Sequence, residues 1–255
     1  MSDFDQNYLV RLSFLGTRYH GSQIQKNAVT VQELFQKALF ETLECSYGID
    51  IKCCSRTDSG VHAKEFGISF FGPESLSENR FITRMNHLLP DDIRVFSLEK
   101  VPAEFHARYS STGKWYEYYV WNGAVMSPFW EGRAYHEKHE LDPDRIREAA
   151  CVLCGTHDFS SFCSVKSDVE DKIRTVKEIA LHEKEPNLWA FSVTADGFLY
   201  NMARIIVGAL IQFNRGKLSV EDIKSYLSGR SRDNLLITLP AEALYLAEVF
   251  YGVGK

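Results

Sequence analysis

Apolar and polar positions alternate along the chain with two different periods, which predict strands and helices in a recurring order. Segments with apolar residues at every second position predict half-buried strands, and those with apolar residues at every third or fourth position predict amphipathic helices. In the first half the order is strand, helix, strand, strand, helix, strand. The predicted strands lie at 8–16, 48–56, 64–72 and 92–101, and the predicted helices at 30–44 and 75–89.

The second half of the chain repeats this order. It opens with GKWYEYYVWNG (113–123), the strongest strand signal in the chain because it is dense in aromatic residues and valine. A long apolar helix begins near Phe198. The other predicted elements are a helix at 142–154, paired strands at 171–184 and 188–196, a shorter helix at 219–228 and a closing strand at 243–251.

The order β-α-β-β-α-β is that of the split βαβ, or ferredoxin-like, unit. Two such units predict an α+β protein with antiparallel sheets and helices on one face of each. The predicted halves are residues 1–104 and 105–255. A central cleft shared by the two halves is the natural place for a large ligand.

Net charge and cysteine usage restrict the cellular compartment and the kind of binding partner that we expect. The formal net charge is −5, which argues against indiscriminate affinity for nucleic acid, so such a partner would need a local basic cleft. The start, MSDFDQNYLV, has no basic segment followed by an apolar run, and the six cysteines are irregularly spaced. We therefore expect a reduced, cytoplasmic protein.

Cys151 and Cys154 are three residues apart, and His157 follows three residues later, a spacing that invites interpretation as a metal site. A structural zinc site usually needs two such pairs, and the chain has no second one. Both cysteines also lie in a segment with apolar residues at helical spacing. We therefore expect small buried residues and no metal.

One carboxylate, Asp58, stands in a run of turn-forming residues between two predicted strands, and a tight connection alone would explain that composition. The apolar helix at 197–213 is too short and too polar to cross a membrane, and Arg204 is its only charge. Either the long stem of Arg204 carries the guanidinium to solvent, or the guanidinium stays buried and needs a carboxylate partner. Asp58 is a plausible partner, which an arginine would keep ionised.

Together these segments resemble a known family. The octet RTDSGVHA (56–63) resembles the signature of the tRNA pseudouridine synthase A family, whose aspartate is catalytic. The resemblance runs from about Leu9 to Tyr251. Four more stretches match in order: LGTRYHGSQIQ (15–25), FHARYSSTGKWYEYYV (105–120), GTHDFSSF (155–162) and GFLYNMARIIVGAL (197–210).

The resemblance implies an enzyme that isomerises uridine to pseudouridine in the anticodon stem–loop of tRNA, at positions 38, 39 and 40. The base is detached from its ribose, turned, and rejoined through carbon. The resemblance implies neither a metal nor an organic cofactor. It implies a homodimer with one tRNA lying across both subunits, and it makes the central cleft an RNA-binding cleft.

Carried over by position, the resemblance makes Asp58 the essential carboxylate, which either attacks the anomeric carbon of the ribose or removes a proton from the neighbouring carbon. Tyr116 matches the tyrosine that packs on the base and is placed to take the proton from its carbon. Arg204 matches the basic residue that pairs with the aspartate. Arg56 matches the basic side chain that helps to displace the target base.

Other candidates also have structural alternatives. Lys114 and Arg108, with Lys64, Arg18 and Arg11, could line an RNA path, although each by itself resembles a solvated surface charge. Tyr116 lies on a strand with period two and, without the resemblance, would be assigned to the core. His62 and His106 lie in family blocks, and we expect structural or RNA-positioning roles rather than acid–base chemistry.

The chain departs from the family pattern at two positions. Ser22 stands where a tryptophan is usual, and Ala243 stands where a glycine is common. Neither position belongs to the proposed catalytic set, although both bear on affinity and on the choice of tRNA positions.

Three alternatives to the synthase stay open. The first is a non-catalytic RNA-binding module, because KEFGISFF (64–71) partly resembles an aromatic strand of RNA-recognition domains. The second is a hydrolase that releases free uracil, and the third is an inactive family copy that only binds RNA. Product analysis separates the alternatives, since the products are isomerised uridine, released base, or nothing.

Overall fold

The computed structural model describes residues 4–45, 48–164, 169–229 and 233–252. Strands and helices alternate through this part of the chain, which confirms the predicted α+β class. The strands are β1 Gln6–Phe14, β2 Lys52–Cys53, β3 His62–Gly72, β4 Ile93–Val101, β5 Ser111–Trp121, β6 Tyr135–His136, β7 Gly155–Asp158, β8 Ile173–Glu185, β9 Leu188–Ala195 and β10 Leu244–Tyr251. The α-helices are α1 Val31–Thr42, α2 Glu78–Leu88, α3 Pro143–Leu153, α4 Met202–Asn214 and α5 Val220–Leu227.

Residue contacts divide the chain into two compact units. Unit 1 comprises Met1–Thr112 and Leu246–Lys255, and unit 2 comprises Gly113–Tyr245. The predicted halves placed the boundary at residue 104 and kept the C-terminal strand in the second half. Contacts assign most of β10 to unit 1, where it neighbours β3 in the sheet.

In unit 1 the strands follow the order β4-β1-β3-β10, and β2 also pairs with β3. The pairs β1–β3, β1–β4 and β2–β3 are antiparallel. Helix α1 begins where the Thr30 hydroxyl accepts the backbone N–H of Glu33 at 3.4 Å, the arrangement of an N-cap. The buried face of α1 consists of Val31, Phe35, Ala38 and Leu39, at the helical spacing that the sequence predicted.

In unit 2 the order is β5-β9-β8-β7, with antiparallel pairing throughout, and β6 pairs parallel to β5. Helix α4 is buried along nearly its whole length, which confirms the prediction of a helix enclosed by protein. It begins at Met202 rather than near Phe198. Asn201, just before it, adopts a left-handed conformation with φ of 64°, which interrupts any helix that starts earlier.

Short elements account for most differences from the prediction. Only Lys52–Cys53 of the predicted strand at 48–56 pairs with β3, because the chain then leaves the sheet to form the loop that carries Asp58. Strands β6 and β7 were not predicted, and a two- to four-residue strand has too few positions to show a period. In the part of the chain described here, no helix has the length and hydropathy needed to cross a membrane.

Gly208, on a buried side of α4, is expected to tolerate no side chain. A Cβ at this position would lie 2.3 Å from the carbonyl oxygen of Ile237. Gly208→Ala should therefore lower the free energy of unfolding by about 1–3 kcal/mol, although alanine favours helices over glycine by about 1 kcal/mol. Urea denaturation measures the change.

The matched control is Gly197→Ala, also in unit 2, where the nearest atom to an added Cβ is Nε of Arg174, at 3.5 Å. This control should stay within about 0.5 kcal/mol of the wild type. Equal denaturation midpoints for the two variants would show that the contact between α4 and Ile237 is not tight in solution.

Candidate active site

Asp58 lies in unit 1, in the loop between β2 and β3. Its side chain is partly buried, Thr57 before it is buried, and Arg56 and Ser59 on either side are exposed. The carbonyl of Asp58 accepts the N–H of Val61 at 3.2 Å, and Gly60 has a φ of 85°. The segment is thus a tight turn, as its composition predicted, and it holds a carboxylate at the surface of the unit.

Residues 16–20 contact this loop. The carbonyl of Tyr19 accepts the N–H of Gly60 at 3.4 Å and the hydroxyl of Ser59 at 3.3 Å. The ring of His62 is completely buried, and its Nδ1 accepts the N–H of Gly16 at 2.8 Å. These contacts give His62 a structural part in holding the loop, one of the two roles expected for it, and its contact with substrate stays a prediction.

Tyr116 lies in unit 2, on β5, opposite Val193 of β9. Only 6% of its surface is exposed, and its ring packs edge-on against Phe198 with 4.8 Å between ring centroids. A tyrosine held in the middle of a paired strand has little freedom to move. The sequence analysis did not select Phe198, and its only signal was a place in the block GFLYNMARIIVGAL (197–210).

Arg204 lies in the first turn of α4 in unit 2, and its side chain is partly exposed. Its Nε donates to the carbonyl of Leu239 and its Nη1 donates to Oδ1 of Asn201, both at 2.7 Å. Both acceptors are neutral, so they orient the guanidinium without neutralising its charge. Asp58 belongs to unit 1, and its pairing with Arg204 stays a prediction.

Tyr118 lies close to Arg204 in unit 2. Its hydroxyl donates to the carbonyl of Pro240 at 3.0 Å, next to the carbonyl of Leu239 that Arg204 holds. Burial raises the pKa of Tyr118 well above its usual value, and the positive charge of Arg204 opposes that rise only in part. Tyr118 therefore stays a neutral hydrogen-bond donor at physiological pH.

The remaining basic candidates are more accessible. Arg56 and Arg108 are exposed, and Lys114 is partly exposed on β5. The guanidinium carbon of Arg108 lies 5.8 Å from the ring centroid of Tyr109, whose surface is 77% exposed. An exposed aromatic ring beside a cation is a typical contact for an unstacked base and its phosphate. The sequence analysis did not select Tyr109.

His106, in unit 1, packs against Tyr109. Its ring centroid lies 4.4 Å from that of Tyr109. Burial lowers the pKa of His106, and the positive charge of Lys52 lowers it further. His106 is therefore a neutral ring at physiological pH, which suits a packing role better than a phosphate contact.

The two cysteines of the metal interpretation are not buried as expected. Cys151 is exposed and Cys154 is partly exposed, because the buried face of α3 consists of Ile146, Ala149, Ala150 and Leu153. His157 directs Nε2 to the carbonyl of Cys154 at 2.9 Å. Within the described ranges no group of three or more His, Cys, Asp or Glu side chains is arranged to hold a metal ion.

Comparison with known proteins gives one consistent result. The model of the family described as tRNA pseudouridine synthase matches residues 12–110 and 149–252. A protein of Acetivibrio thermocellus named tRNA pseudouridine synthase A is 39% identical over 246 residues, covering 96% of this chain and 100% of that protein. A protein of Bacillus subtilis with the same name is 40% identical over 240 residues, covering 94% and 97%.

Proposed function

Because this chain belongs to the tRNA pseudouridine synthase family, it is an isomerase that acts on uridine in tRNA, and we propose that Asp58 carries the reaction in the anticodon stem–loop. The observation that supports Asp58 most directly is its setting, a partly buried carboxylate in a tight turn that neighbouring backbone holds in place. The proposed targets are uridines 38, 39 and 40.

The reaction rearranges bonds within one nucleotide. The bond from N1 of uracil to C1′ of ribose breaks, the base turns, a bond forms from C5 to C1′, C5 loses its proton and N1 gains one. In the proposed mechanism Asp58 either attacks C1′ or removes a proton from C2′. No water is consumed, so one carboxylate suffices, whereas hydrolytic glycosidases generally need two.

Tyr116 is the proposed partner of the base. Its aromatic face would pack on the uracil, and its oxygen, as the phenolate, would take the proton from C5 and become a neutral phenol. Two observations support this role: the ring is held on a paired strand, and it packs against Phe198 rather than lying loose at the surface. A group that transfers a proton must keep a fixed distance from the reacting atom, and such packing favours that.

Arg204 is proposed to pair with Asp58 and to keep it ionised. The support is the position of the guanidinium, which the carbonyl of Leu239 and Oδ1 of Asn201 orient at the first turn of α4. A positive charge within about 4–6 Å of a carboxylate lowers its pKa. An ionised aspartate is what either attack on C1′ or removal of the C2′ proton requires.

Substrate binding is assigned to exposed or partly exposed cationic side chains. A base in a helical stem must leave its stack before its sugar is accessible, at a cost of roughly a few kcal/mol. Arg56, next but one to Asp58, would help to displace the base, and Arg108 and Lys114 would contact phosphates. Since the net charge of the chain is −5, these local charges rather than the overall field would hold tRNA.

The finer description of the fold is part of the proposal. In unit 1 the antiparallel order β4-β1-β3-β2, with α1 and α2 between the strands in sequence, is the order of a split βαβ unit. In unit 2, β5, α3, β8, β9 and α4 follow one another in the same way. We also assign a homodimer and a cytoplasmic location on the family resemblance.

Release of tritium from tRNA transcribed with uridine labelled at C5 tests the function. Wild-type protein should release tritium and leave pseudouridine on nuclease digestion. Free uracil would instead identify a hydrolase, and tRNA binding without a product would identify a binding protein. Transcripts that carry cytidine at positions 38, 39 and 40 should release little tritium, and release at the full rate would refute the anticodon assignment.

A further inference from the structure

Ser22 is buried, with 1% of its surface exposed, and it contacts the residue that precedes Asp58 in unit 1. Its Oγ accepts the backbone N–H of Thr57 at 2.8 Å, and its own N–H donates to the carbonyl of Thr57 at 3.2 Å. Both polar groups of the Thr57 backbone are therefore held by one residue, 35 positions away in the sequence.

Gly21 allows this approach. Its φ is 87°, and a Cβ at this position would lie 2.5 Å from the carbonyl oxygen of Thr57 and 3.4 Å from the carbonyl carbon of Asp58. Only glycine adopts this conformation and leaves this space without strain. The backbone of residues 21 and 22 thus lies directly against the loop.

The same short segment is anchored to a helix. The carbonyl of Ser22 accepts the N–H of Gln32 at 2.9 Å, and the carbonyl of Gly21 accepts the N–H of Val31 at 3.4 Å. Both donors lie in the first turn of α1, where backbone N–H groups have no partner within the helix. Ser22 therefore ties the Asp58 loop to the start of a helix rather than to another loop.

We propose that Ser22 is a positioning residue for the isomerisation, whose hydroxyl fixes the backbone of Thr57 and thereby the direction of the Asp58 carboxylate. The inference rests on the proposed role of Asp58. Without the hydroxyl, a buried N–H has no acceptor, and the loop must shift to find one. A displacement of about 1 Å at a reacting group can cost 10²-fold in rate.

The test compares Ser22→Ala with Ser22→Thr, which keeps a hydroxyl. Single-turnover tritium release gives the rate of the chemical step, and filter binding gives Kd for tRNA. Ser22→Ala should lower the single-turnover rate by about tenfold or more, with Kd changed by less than about twofold because no phosphate contact is lost. Ser22→Thr should react clearly faster than Ser22→Ala. Equal rates for these two variants would overturn the role of the hydroxyl.

Asn86→Ala is the matched structural control. Asn86 also holds both polar groups of one backbone residue in unit 1, since its Oδ1 accepts the N–H of Val95 at 2.8 Å and its Nδ2 donates to the carbonyl of Val95 at 2.7 Å. Both alanine variants should lower Tm, but only Ser22→Ala should slow the chemical step. Equal effects of the two variants on rate would reduce Ser22 to a stabilising residue.

Asp58→Asn, measured in parallel, separates this inference from the proposed function. If Asp58→Asn is inactive and Ser22→Ala reacts at the wild-type rate, the inference about Ser22 fails alone. If Asp58→Asn is active, the catalytic assignment fails, and the inference about Ser22 fails with it.

Discussion

Asp58→Asn should abolish isomerisation while tRNA binding survives. Asparagine has nearly the same size as aspartate but no negative charge, so it can neither attack C1′ nor remove the C2′ proton. The rate of tritium release should fall by about 10⁴-fold or more, the scale for removing a group that acts directly on reacting atoms. The hydrogen bond from the N–H of Gly60 to the carbonyl of Tyr19 does not involve this carboxylate, so it is retained in the variant.

Two further variants sharpen this experiment. Asp58→Ala cannot regenerate a carboxylate by deamidation, so residual activity that appears only in the asparagine variant can be attributed to that reaction. Asp91→Asn changes another loop carboxylate of unit 1, which is exposed and pairs with Arg94, and it should react at the wild-type rate. A fully active Asp58→Ala would refute the catalytic assignment.

Tyr116→Phe should bind tRNA and turn it over poorly. Phenylalanine keeps the aromatic face, so packing on the base and the contact with Phe198 are both retained. It lacks the oxygen that would take the proton from C5, and loss of a positioned proton-transfer group typically costs about 10²–10⁴-fold in rate. Single-turnover tritium release measures the rate and filter binding measures Kd.

Tyr119→Phe is the control on the same strand. Its side chain lies on the opposite face of β5 from Tyr116, and its hydroxyl donates to the buried carboxylate of Glu117 at 2.9 Å. Losing this hydrogen bond should cost about 1–3 kcal/mol in unfolding free energy and leave the rate of release unchanged. A wild-type rate for Tyr116→Phe would rule out the proton-transfer role and leave Tyr116 as a packing residue.

Long elements were predicted well because their periods extend over several turns or pleats. Helix α1 begins after Thr30, as predicted, and its four buried residues fall at the predicted helical spacing. Strand β5 covers the aromatic segment, and Tyr116, Tyr118 and Val120 share one face of it. Bounds were less accurate where a single backbone conformation ends an element, as at Asn201, where the sequence still resembles a continuous apolar helix.

The sequence likewise predicted some residues of the candidate site and missed others. The octet RTDSGVHA (56–63) and its companion blocks identified the family, which the comparisons confirm, and they selected Asp58, Tyr116 and Arg204 as candidates. They did not select Phe198 or Tyr109, because an apolar or aromatic residue beside a motif has no local pattern that distinguishes a site from a core. Cys151 was expected to be buried and is exposed, since a spacing rule gives a face of the helix only approximately.

The sequence by itself determined the α+β class, the order of the long elements and the family, and it selected the candidate reacting side chains, whose roles stay a proposal. Tertiary structure alone decided which distant partners these polar atoms meet: the carbonyl of Leu239 for Arg204, the N–H of Gly16 for the buried ring of His62, and the backbone of Thr57 for Ser22. The sequence analysis treated Ser22 only as a departure from the family pattern. The physical reason is that periodicity reports which face of an element is buried, whereas a hydrogen bond between residues far apart in the chain depends on how separate segments pack.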